Sequence, residues 1–268
     1  MLAPSPVVKQ TAKNALSPCY LTAIAVSCLL LFIYCIGGLI ASMVSIFADL
    51  TGYIITLVLI AIFALSPLTL GVLYYFRRLI WEGRDSVLII FKYFSSLDEY
   101  KRALHFTFLI FLRLVITALV TFSPCIVVWV LSNDAFYEAL GMSLPIWASN
   151  LWALNSVIAI FSSFVLVFIM LRFYLAPFIF VASDDIDSAE AVNMSSIISK
   201  RTGGDFFGLV LSFAGWIVIS LFVAPLVFTV PYFAASYCVH CRFAITAYNR
   251  DVDRFNASST PSYSTDEF

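Results

Sequence analysis

Residues 205–248 read DFFGLVLSFAGWIVISLFVAPLVFTVPYFAASYCVHCRFAITAY, and this apolar stretch decides how the chain must fold. As one helix it would extend about 65 Å, roughly twice the ~30 Å hydrocarbon thickness of a bilayer. It has to turn back on itself. Ala224 and Pro225, with Pro231 nearby, supply the break, because proline lacks the amide proton that continues a helix.

The same argument applied to the other apolar blocks places helices near 20–48, 53–76, 104–131, 151–180, 206–224 and 226–248. The expected fold is all-α: a polytopic membrane protein with six transmembrane helices and amphipathic interfacial connectors. A cytoplasmic arm over 1–19 precedes the six-helix domain at 20–250, and a disordered cytoplasmic tail over 251–268, rich in Ser, Thr, Asp and Asn, follows it. Composition agrees, since 62% of the 268 residues are hydrophobic and only 12% charged, with a mean hydropathy of +0.99. A net charge of −1 supplies no basic field, so nucleic acid is not an expected partner. The first apolar run is too long for a cleaved leader and is read as a retained helix.

Orientation follows from the basic residues. Lys9 and Lys13 precede the first helix; Arg77, Arg78, Arg84, Lys92, Lys101 and Arg102 lie between the second and third. Lys200 and Arg201 lie between the fourth and fifth, and Arg242, Arg250 and Arg254 sit at or beyond the end of the sixth. The opposite loops hold only the acids Asp49, Asp134 and Glu138. Both termini are therefore expected in the cytoplasm, with the chain in the cytoplasmic membrane.

Local signals mark the boundaries. Ser17–Pro18 opens the first helix, Asp49–Gly52 is a tight turn, and Pro67 kinks the second helix. Ser96 with Glu99, and Asp187 with Glu190, are capping boxes. Gly203 and Gly204 are expected to end the short helix that Asp187 starts, and Pro177 to break the end of the fourth helix. The connector 79–100, half polar and half apolar, is expected to lie along the membrane surface.

From Arg172 onward the segments LRFYLAPFI, DSAEAVNMSSIIS, FFGLVLSFAGW and VPYFAASY resemble an uncharacterised bacterial membrane family, domain of unknown function 975. The likeness centres on Ser212, Phe213, Gly215 and Trp216, on the Pro231–Tyr232 pair, and on YFSS at 93–96. Where that family tends to have one glycine followed by a basic residue, this chain has Lys200, Arg201, Thr202, Gly203, Gly204 and Asp205. The resemblance implies a multi-pass protein with no established activity.

Two arginines fall inside apolar helices, Arg113 in the third and Arg172 in the fourth. A charge there needs a partner, a cavity or a route to the headgroups. Either Arg113, Arg172 and the indole of Trp216 contact an anion or lipid headgroup, with Arg113 and Trp216 stacked, or the arginines snorkel to the inner leaflet. Gly208, Ser212 and Gly215 form a small-residue stripe expected to pack another helix. Cys238, His240 and Cys241 would need two more ligands to hold zinc, and no metal or cofactor is expected. No nucleophile, metalloprotease or phosphate-loop motif is present, so no catalytic residue is assigned and the chain is not read as an enzyme. The expected role is binding of lipid, or of a partner membrane protein or second copy, within the bilayer. The alternative is a small-molecule transporter or channel component, which the lack of intramembrane acids argues against for proton coupling.

Overall fold

The structure, a computed structural model, describes residues 4–83, 86–143, 145, 148–219 and 223–259, and is helical without strands over them. Its plan is three antiparallel fold-backs whose open ends meet in one packed base.

The first contains α1 (Ser5–Leu16), a 3-10 turn at Ser17–Cys19, α2 (Tyr20–Ile60), a π turn at Ala61–Leu65, and α3 (Ser66–Glu82). Within α2 the chain reverses at Asp49, whose φ of 54° is the one positive value among described non-glycine residues. Contacts across the reversal prove it. Tyr75 donates to the Thr22 hydroxyl at 3.2 Å, the hydroxyls of Tyr34 and Thr69 bond at 2.9 Å, and a Cβ on Gly37 would meet Ile60 at 3.1 Å. Two arms result, Ser5–Phe47 and Asp49–Glu82. A left-handed backbone favours glycine, and aspartate only tolerates it. Asp49→Gly is therefore expected to leave stability unchanged or raise it by up to about 1 kcal/mol, read by thermal unfolding in detergent.

The second fold-back joins α4 (Leu97–Leu131) to α6 (Leu151–Met170), with α5 (Asp134–Ala139) between them and Cys125 against Ser162 across it. The third follows α7 (Ala176–Ala182) and is built from α8 (Ser188–Leu211), α9 (Ala214–Ile219) and α10 (Val223–Ser259). Phe206 packs on Tyr237 and His240, and Phe213 on Tyr232 and Phe233, so α10 packs back against the end of α8 and the bend before α9. The expected break at Ala224–Pro225 does not form there: both residues lie in the first turn of α10 and Pro231 lies inside that helix, while residues 220–222 are outside the described residues.

The base is where burial concentrates. Val8, Ala12 and Leu16 of α1 face α10, and Phe178, Ile179, Phe180 and Val181 of α7 are all enclosed. Phe180 stacks on Phe106 at 4.2 Å and on Tyr93 at 6.0 Å. A central aromatic of this kind contributes through area and ring geometry together.

Several expectations need correction. Four helical stretches among the described residues are long and apolar enough to cross a membrane, rather than six: the two arms above, Leu97–Leu131 and Leu151–Met170. The 206–224 and 226–248 pair is present as a fold-back, but it is divided among the end of α8, the six-residue α9 and a proline-containing α10 that buries Ala235, Cys238, Val239, Cys241 and Ala244 in the base. Gly203 and Gly204 do not stop α8, because Thr202 bonds the Tyr174 hydroxyl at 2.8 Å and Phe206 stacks on Tyr174 at 4.1 Å. Such packing outweighs a glycine cost of about 1 kcal/mol each. Pro177 opens α7 after a turn at 171–175 instead of breaking a longer helix, as suits a residue without an amide proton. In the connector 79–100, α3 continues to Glu82, and a 3-10 segment, Val87–Phe94, packs Ile90 and Tyr93 into the base while Leu88, Phe91 and Phe94 stay exposed. In the expected disordered tail, 251–259 continue α10, and 260–268 lie outside the described residues. The N-cap bond of each expected capping box forms, with Ser96 accepting from the Glu99 amide and Asp187 from the Ala189 amide, while Glu99 Oε2 is buried without a partner.

Candidate functional site

Arg113 projects from α4 toward α8. Its guanidinium donates to Asn193 Oδ1 at 3.2 Å and sits 5.9 Å from the Phe173 ring centroid. Phe173 adjoins Arg172 in the 171–175 turn, so the two arginines are brought to one region of the base. Arg172 itself is exposed, and its carbonyl accepts from Ser195 at 3.0 Å and Ser199 at 2.7 Å. Those hydroxyls anchor the turn to α8.

Trp216 belongs elsewhere. Carried on α9, it lines a groove of about 640 Å³ beside the N-terminal helix, whereas the Arg113 guanidinium lies over the Phe173 ring. Of the small-residue stripe, Ser212 meets Lys9, while among the described residues a Cβ on Gly208 or Gly215 would meet nothing within 4 Å. Between them the helix breaks at Ser212–Phe213.

Lys9 holds that break. Its Nζ donates to the Ser212 carbonyl at 2.7 Å and lies 4.2 Å from the Phe213 ring centroid, while Tyr232 donates to the Lys9 carbonyl at 3.5 Å. A carbonyl freed where a helix ends requires such a donor. Lys13, one turn further along α1, faces the same groove, with Ser17 beside it; Leu16, Tyr20, Trp216 and Tyr232 make its apolar wall. Among the described residues, no carboxylate lines it. Sequence reasoning passed over Lys9 and Lys13 as part of a polar arm. The signal was available in Val8, Ala12 and Leu16, whose spacing of four makes one buried helical face with the lysines off it.

Two other charged regions are structural. Asp184, in the α7–α8 loop, pairs with Lys92 at 2.7 Å and Arg102 at 3.3 Å. The hydrogen bond from Lys92 is the main cause holding its carboxyl below the usual carboxylate range. Burial pushes the neighbouring Tyr93 phenol above its ordinary value. A cleft of about 310 Å³ between α8 and α10 carries Arg201, Arg250 and Arg254 with Asp205 and Asp251. The Arg201–Asp251 pair at 3.0 Å is exposed and contributes little.

Cys238 and Cys241 are fully buried, and His240 is bonded to the Tyr174 hydroxyl at 3.1 Å. Among the described residues, no three His, Cys, Asp or Glu side chains group so as to hold a metal ion.

The chain matches no protein family, no curated protein and no solved structure with which it was compared. The likeness to the uncharacterised bacterial family rests on the quoted motifs. What the fold defines is an all-helical protein with several apolar helices long enough to enter a membrane.

Proposed function

We propose that this chain is an integral protein of the cytoplasmic membrane, with its long apolar arms in the bilayer and its base and both termini on the cytoplasmic side. There it binds lipid or a partner membrane protein and performs no catalysis of its own. The observation that supports this reading is the separation of exposure from charge. Large apolar side chains stand open along the arms, Phe47 at 90% exposure and Phe161 at 70% among them, while the buried core gathers at the other ends beside Arg77, Lys92 and Arg102. Apolar surface on that scale is unfavourable in water and ordinary against acyl chains.

Topology mapping tests it. The protein is expected to resist alkaline carbonate extraction. Cysteines placed at Asp49 and Glu138 are expected to react with an impermeant maleimide on intact cells, and cysteines at Lys101 and Lys200 only after permeabilisation. Release by carbonate, or the reverse labelling pattern, defeats the reading.

A further inference from the structure

We infer that the groove between α1 and the α9–α10 fold-back is a binding site for one anionic phospholipid, with the phosphate on Lys13 and the acyl chains along Tyr20 and Trp216. This inference rests on the membrane reading above and names what the base holds.

Charge is the first argument. Lys9 and Lys13 are one helical turn apart on α1, and among the described residues the groove they line contains no carboxylate. Lys9 already spends one donor on the Ser212 carbonyl, which fixes its ammonium at the rim. Lys13 has no hydrogen-bond or ion-pair partner among the described residues and is exposed to the groove mouth. Two cations with no counter-charge among the described lining residues favour a net anionic headgroup over a zwitterionic one.

Shape is the second. At about 640 Å³ the groove falls within the roughly 300–1,000 Å³ of ordinary ligand sites, far more than a bare phosphate fills. Its remaining wall is apolar and aromatic, which a free phosphate would not use.

Position is the third. Tyr20 is the first residue of α2, the helix that carries the first long arm, so the groove opens where that arm leaves the base. Tyrosine and tryptophan at that level suit the headgroup boundary, where one end of the ring is wet and the other apolar.

The test is native mass spectrometry of the detergent-purified full chain, titrated with dioleoyl-phosphatidylglycerol, dioleoyl-phosphatidylcholine or inorganic phosphate. One phosphatidylglycerol should be retained in preference to phosphatidylcholine. Lys13→Glu should weaken that retention about tenfold, Lys13→Gln by less, and Lys200→Glu, at an exposed lysine outside the groove, not at all. Unchanged unfolding temperature in the Lys13 variants ties the loss to the site. Equal retention of the two lipids, retention unaffected by Lys13→Glu, or displacement of the lipid by inorganic phosphate would each overturn the proposal. Carbonate extraction of the wild type is read alongside: a chain that stays in the membrane yet shows no lipid preference loses this inference alone, whereas a chain that washes off loses the membrane reading with it.

Discussion

Gly71→Ala is expected to destabilise the protein by about 3 kcal/mol, the upper end of what overpacking a core costs. A Cβ at this position of α3 would stand 1.8 Å from the Ile90 carbonyl oxygen and 2.7 Å from its carbonyl carbon. Both are backbone atoms, so no rotamer change relieves the clash. The whole Val87–Phe94 segment would have to retreat, taking Ile90 and Tyr93 out of the base and Tyr93 off Phe180. Gly38→Ala is the matched control. Nothing lies within 4 Å of its Cβ position, and it sits inside a helix, so alanine should be neutral or stabilising by up to about 1 kcal/mol. Thermal unfolding in detergent reads both, and in Gly71→Ala trypsin cleavage after Lys92 should accelerate. Equal unfolding temperatures for the two variants would refute the close approach of α3 to the 3-10 segment.

Arg102→Ala is the second large effect, expected at about 2–3 kcal/mol. This guanidinium donates to the Ser183 carbonyl at 2.8 Å and the Ile186 carbonyl at 3.2 Å, pairs with Asp184 at 3.3 Å, and lies 4.7 Å from the Phe180 ring centroid. It thus ties the start of α4 to the loop between α7 and α8. Arg77 does related work at the end of α7 by donating to the Val181 carbonyl at 3.1 Å. Arg102→Lys restores a charge near Asp184 but has no planar fork to reach two carbonyls, so it should recover less than half of the loss. Arg201→Ala removes an equally visible ion pair, yet its partners are 77% and 52% exposed, and the expected change is within about 0.5 kcal/mol. Denaturant unfolding of the three variants should rank them in that order. An Arg102→Ala protein as stable as Arg201→Ala would show that the loop is held by something else.

The candidate site was only partly legible for a related reason. Desolvation cost singles out Arg113 from sequence, because the penalty depends on a residue's own apolar neighbours along the chain. The identity of its partner does not, and Asn193 lies 80 positions away. The groove that Trp216 lines is assembled with α1, whose distance along the chain hides it from sequence. Lys9 acts on Ser212 at a separation of 203 residues.

Local chemistry was enough to specify the helical class, the turn at Asp49 and the caps at Ser96 and Asp187, since each follows from hydropathy or a side chain within three residues of its amide. Tertiary packing alone decided that α8 runs through Gly203 and Gly204 and that the 79–100 connector packs Ile90 and Tyr93 into the base. In each case a contact from a distant element, Tyr174 on Phe206 or Gly71 under Ile90, outweighs a local preference of about 1 kcal/mol.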